Sequence, residues 1–256
     1  MIRIGPRLAA VGLLLVSGAS VRADDTPPPM GVWTGKGQAG YLDSRGNSNG
    51  ESANASLDMA RFDGAWKNAL YVGGLYGVSN GITSAERWEA RWQSNYDINP
   101  KLFTFGALRY EHDLFSGFEY QASGSAGMGY KIIGTDATKL TAQLGVGYRQ
   151  LRPEALEKNA SGAVIERIPQ ASQGDAVLTA EVNYQQNLTT STSLSNKFLM
   201  EYGSNDTLFT DDIALTVKMS TKLALGVGYG LQDNTRPPAG LKTLDTVTSI
   251  NLVYAF

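Results

Sequence analysis

The chain has 256 residues, a formal net charge of -2 and 42% hydrophobic residues, which suits one large domain and excludes the basic excess of a nucleic-acid binder. It has no cysteine and only one histidine, which excludes a disulfide framework and a Cys/His metal set. Its mean hydropathy is slightly negative, too polar for a bundle of membrane-spanning helices but consistent with a barrel whose strands alternate apolar and polar faces.

Residues 1–23 read as an export signal peptide. Arg3 and Arg7 make a basic start, Leu8 to Val16 a short apolar run, and Val21-Arg22-Ala23 a permissive cut site, with Ser17-Gly18-Ala19 as the alternative. The run is too short to cross a bilayer as a helix. Residues 24–31 read as a flexible lead-in and 32–256 as the folded domain.

Beyond the signal no stretch of any length has helical periodicity, and period-2 alternation recurs between turn residues. The segments 32–43, 51–63, 66–79, 83–98, 101–113, 119–132, 138–151, 174–187, 192–204, 208–220, 222–232 and 243–256 each read as a strand. That is about twelve strands, an even number as expected of a single-chain bacterial barrel. Segment 83–98 is the clearest, with Trp88, Ala90, Trp92, Ser94, Tyr96 and Ile98 on one face and Arg87, Glu89, Arg91, Gln93, Asn95 and Asp97 on the other.

Apart from Pro6 in the signal, every proline is expected between strands, because proline cannot donate to a ladder. Connections after even-numbered segments are tight, as at Asp63-Gly64 and Asn99-Pro100, whereas 152–173 and 233–242 follow odd-numbered ones and are long. The expectation is an all-β transmembrane antiparallel up-and-down β-barrel with both termini in the periplasm. That topology sorts the tyrosines into two bands: Tyr41, Tyr76, Tyr110, Tyr120, Tyr148, Tyr202 and Tyr229 near one rim, and Tyr96, Tyr130, Tyr184 and Tyr254 near the other. Membrane interfaces collect such amphipathic rings. The terminal alternation Ile250, Leu252, Tyr254, Phe256 matches the signature by which outer-membrane proteins are recognised for assembly. The expected location is the outer membrane, reached through the periplasm, with outer-membrane lipid and the barrel-assembly machinery as partners.

Segment 101–130 carries Phe105-Gly106, Arg109-Tyr110-Glu111, Asp113, Phe115-Ser116-Gly117, Tyr120 and Gly127-Met128-Gly129-Tyr130. With Trp33 and Gly145-Val146-Gly147-Tyr148-Arg149, it resembles a bacterial domain-of-unknown-function family of salt-induced outer membrane proteins. The resemblance spans the mature chain and implies fold and location, but no catalytic residues. The insert 152–173 is the part least expected to match.

By register the polar face carries Lys36, Asp58, Arg87, Glu89, Arg91, Asp97, Arg109, Glu111, Asp113, Lys131, Arg149, Glu181, Lys197, Glu201 and Lys218. A ring of one sign would point to an ion-selective pore. This nearly balanced set points to salt bridges along a narrow lumen. The densest cluster sets Arg87, Glu89 and Arg91 against Arg109, Glu111 and Asp113. Gly127, Gly129, Gly145 and Gly147 are expected to point inward and make room for long arginine side chains from across the barrel.

The reading is a narrow channel or permeability protein for small solutes or ions. The alternative is a structural or interaction barrel with a plugged, salt-bridged lumen. A third reading is an outer-membrane lipid hydrolase built on His112, which register places on the outward face with Ser116 nearby in sequence. No HExxH, P-loop or Gly-x-Ser-x-Gly motif is present, so no metal, cofactor or catalytic residue is expected.

Overall fold

A computed structural model describes residues 30–44, 50–114, 116–158, 164–238 and 241–256. The expected export signal and nearly all of the lead-in lie outside the described residues. The strands are β1 (Trp33–Ser44), β2 (Gly50–Asp63), β3 (Trp66–Ser79), β4 (Ile82–Asp97), β5 (Leu102–Asp113), β6 (Phe118–Gly134), β7 (Thr138–Lys158), β8 (Val164–Pro169), β9 (Gln173–Asn187), β10 (Thr192–Gly203), β11 (Thr207–Lys218), β12 (Leu223–Asn234) and β13 (Leu244–Ala255). All neighbours pair antiparallel, and the β6–β7 ladder closes every strand but β8 into a 12-stranded barrel.

The alternation builds the wall. In β12, Leu225, Val227 and Tyr229 point out, while Ala224, Gly226 and Gly228 point in. Exposure runs opposite to that of a water-soluble protein: Leu144 is 69% exposed and Ile250 67%, yet Arg149 is 1% exposed and Glu111 0%. Tyr41, Tyr76, Tyr110, Tyr148, Tyr202 and Tyr229 lie exposed toward one end, and Trp66, Tyr96, Tyr130, Tyr254 and Phe256 toward the other. Asn196 and Asp211 break the apolar outer face, with the Asn196 amide donating to the Asp211 carboxylate at 2.5 Å.

The seam rests on the C-terminus. Lys36–Ala39 of β1 pairs with Leu252–Ala255 of β13, and Phe256 exchanges backbone hydrogen bonds with Gly35 at 3.0 and 3.1 Å. The assembly-signature residues Tyr254 and Phe256 thus sit where the ring closes.

Two expectations need correction. The segment 152–173 is not a simple loop: β7 runs on past the barrel rim to Lys158 and pairs with β8 as a projecting hairpin. Pro153 and Pro169 fall inside strands. Pro153 sits where β7 leaves its barrel partner β9 and takes up β8, a junction where the missing N–H is not needed, and its carbonyl still accepts from Gln170 at 2.8 Å. The end of the barrel carrying the long connections also has a two-residue turn, Asn80-Gly81, with φ of 49° and 79°. Asn-Gly is the pair that adopts this doubly left-handed hairpin turn.

Candidate functional site

The β4–β5 ladder sets the geometry of the lumen. Arg87 stands opposite Asp113, but Glu89 stands opposite Glu111 and Arg91 opposite Arg109. Like charges directly opposite repel, so attraction runs along the diagonals and along each strand. Arg109 Nε reaches Glu89 at 2.7 Å, its terminal nitrogen pairs with Glu111, Arg87 Nη2 reaches Glu111 at 3.1 Å, and Arg91 Nε lies 3.4 Å from Glu89. The Arg91 guanidinium also lies over the Tyr71 ring at 4.2 Å.

Arg149 and Lys131 belong elsewhere. Arg149 reaches across from β7 to Glu201 on β10 at 3.6 Å and pairs with Asp206 in the β10–β11 turn. Ser123 on β6 donates to the same Glu201 at 3.0 Å. Lys131 pairs with Asp97 at 2.6 Å, nearer the short-turn end.

Together the two buried ion sets form a plate across the lumen. On its short-turn side lies a cavity of about 650 Å³, bounded by Lys67, Gln93, Lys131, Lys139 and Gln143 and floored by Tyr71, Arg91, Arg109, Ser123 and Glu201. Arg87, Glu111 and Arg149 within the plate are buried.

The inward glycines make room for phenylalanines, not for arginines. A β-carbon on Gly129 would strike the Phe103 ring, and one on Gly145 would meet the Phe105 ring. A β-carbon on Gly127 or Gly147 would meet the backbone of the adjoining strand, so these two permit close approach of β6 and β7. Phe103 and Phe105, Tyr71, and the contact of Tyr71, Leu75 and Ala85 with Val247 were not marked as lumen features by sequence. Their signal was an apolar residue in a polar register, which alternation alone treats as noise. Asp212 was hidden because Asp211 beside it satisfies either register.

At the loop end, Asp175 accepts from the Asn205 backbone N–H at 3.0 Å and from Ser204 Oγ at 2.9 Å, which holds its carboxyl below the usual range. Burial pushes the Asp206 carboxyl up, and the Arg149 guanidinium opposes that shift in part. His112 lies on the outward face. Its Nδ1 is 2.5 Å from the Glu119 carbonyl and its ring stacks on Trp88, while Ser116 Oγ donates to the Asp113 carbonyl at 2.9 Å. Among the described residues no cluster of three or more His, Cys, Asp or Glu could hold a metal ion.

The family model described as "Protein of unknown function, DUF481" matches residues 37–256. The chain belongs to this family. A relative from Escherichia coli (strain K12), "Uncharacterized protein YdiY", is 23% identical over 234 residues, covering 91% of this chain and 86% of that protein. Among solved structures, the translocator domain of autotransporter NalP from Neisseria meningitidis is 14% identical with a TM-score of 0.46, covering 88% of this chain and 87% of that one. The NanC porin is 12% identical with a TM-score of 0.43, covering 88% of this DUF481 chain and 99% of the porin.

Proposed function

We propose that this protein is a narrow outer-membrane permeability barrel for small solutes or ions, exported through the periplasm and held closed in the conformation described. The supporting observation is the lumen: a cavity of about 650 Å³ opens at the short-turn end and stops at the plate of Arg87, Glu89, Arg91, Arg109 and Glu111. Short turns mark the periplasmic side of such barrels, so the cavity faces the periplasm. The apolar outer face with its aromatic bands suits outer-membrane lipid, and the seam-closing Phe256 suits delivery by the barrel-assembly machinery.

Passage requires the diagonal ion pairs to part, which is a motion of side chains and leaves the ladders intact. The test is planar-bilayer conductance of the refolded native barrel beside Arg109→Ala. The native protein is expected to open rarely and little. The variant removes the guanidinium that joins Glu89 to Glu111, and should conduct steadily with selectivity shifted toward cations. Silence from both overturns the reading in favour of a plugged structural barrel, which the burial of Glu111 (0% exposed) and Arg149 (1%) favours.

A further inference from the structure

The periplasm-facing cavity has a chemistry of its own. Four lysines line it: Lys67 at the start of β3, Lys131 near the end of β6, Lys139 at the start of the neighbouring β7 and Lys197 midway along β10. The other three all lie within electrostatic reach of Lys67. Lys131 is answered by Asp97 at 2.6 Å and Lys197 by Glu181 at 3.4 Å. Lys67 and Lys139 have no carboxylate at ion-pair distance among the described residues; Lys67 lies over the Phe62 ring at 5.6 Å and is answered only at longer range by Asp58.

Carboxamides line the same wall: Asn95 on β4 opposite Lys67, Asn183 on β9 opposite Lys197, and Gln93 on β4 and Gln143 on β7. Gln93 Nε2 donates to Asn95 at 2.9 Å and to Gln143 at 3.3 Å, which draws these three amides into one patch, while Asn183 Nδ2 donates to Glu181 at 2.6 Å. A carboxamide offers a donor and an acceptor side by side, and a hydroxyl group uses both. Phe103 and Phe105, laid over Gly129 and Gly145, add apolar surface to the same cavity. Its volume of about 650 Å³ is that of an ordinary small-molecule site.

We propose that this vestibule binds a small hydroxyl-rich organic anion of the sugar-acid class. The carboxylate meets Lys67 and Lys139, the hydroxyls meet Gln93, Asn95, Gln143 and Asn183, and the C–H surface of the molecule meets Phe103 and Phe105. A simple carboxylate would use the lysines and leave the amides idle. A neutral sugar would do the reverse. The proposal deepens the permeability reading, since both use this cavity, but binding does not require the plate to open.

The experiment is calorimetric titration of the refolded full chain in detergent micelles with sodium D-glucuronate, D-glucose and sodium acetate. Glucuronate is expected to bind saturably, and glucose and acetate each about tenfold more weakly or worse. Lys67→Gln with Lys139→Gln lies outside the packed ion pairs and should weaken glucuronate about tenfold while retaining native heat-modifiability. If that variant fails to assemble, Asn183→Leu takes its place, with the loss expected for glucuronate and glucose alike and acetate unchanged.

No saturable glucuronate binding, acetate binding as tight as glucuronate, or indifference to the lysine pair in an assembled barrel each overturns the site. Binding in a barrel that never conducts defeats the channel reading and leaves the site standing. Conduction without binding does the opposite.

Discussion

Arg87 Nη2 lies 3.1 Å from Glu111 Oε2, and Arg109 engages the same carboxylate oxygen. One shielded anion therefore answers two guanidinium groups, while the residue directly opposite it, Glu89, repels it. Glu111→Gln keeps the shape and removes the charge. Arg87 then loses its partner carboxylate and Arg109 is left with Glu89, which Arg91 already shares, and removing one partner of such a pair costs about 3–5 kcal/mol. The expected result is a clear fall in the urea midpoint of the refolded barrel. A midpoint equal to the native one would mean that water screens these groups.

Val146 is 65% exposed on the outer wall and Leu225 42%, whereas Gln143 is 8% exposed and lines the inner cavity. Arginine on the lipid face near the bilayer midplane costs about 2–4 kcal/mol. Val146→Arg and Leu225→Arg should therefore assemble poorly, and Gln143→Arg should assemble well because its long side chain can extend into the cavity. Heat-modifiability on gels reads the difference, and equal behaviour of all three would contradict the assigned faces.

The β7–β8 hairpin projects from the loop end, and the connection after β12 lies at that same end. If that end is the cell surface, a protease added to intact cells should cut within 152–173 and 233–242. It should spare the tight turns at 189–191 and 220–221. Cuts that occur only in periplasmic extracts would invert the orientation.

The fold was legible because in a barrel every strand repeats one rule. Trp88, Trp92 and Tyr96 outward with Arg87, Glu89 and Arg91 inward already assign a face to each residue of β4, and the short turns then order the strands. The lumen was legible only by side. Alternation places Glu111 and Glu89 inside, but which arginine each meets depends on the ladder register, which sets like charges opposite and sends the bonds along the diagonals. Contacts between strands that do not pair were beyond reach for the same reason. Arg149 meets Glu201, 52 positions further along the chain, and nothing local in either strand specifies that contact. The β7–β8 extension was missed because Pro153 and Pro169 look like strand breakers when the ladder they leave is unknown.

The β10–β11 turn should respond to acid through Asp175. This carboxylate accepts hydrogen bonds from the Asn205 amide and Ser204 Oγ, and they hold its folded pKa below the unfolded value. A depressed acid contributes stability that is complete above its unfolded pKa and is lost as pH falls through the folded one. Through Asp175 alone, the protection of the Asn205 amide should hold from neutral pH down to the ordinary aspartate range, then fall below it. Asp206 works in the other direction: burial raises its pKa, so its ionisation opposes the fold, and this cost is relieved as pH falls through the raised value, before Asp175 titrates. Hydrogen exchange at Asn205, corrected for the intrinsic pH dependence of exchange, is the measurement. In Asp175→Asn the protection should be low at neutral pH and the acid step should be absent. An acid step that survives in that variant would assign it to another group.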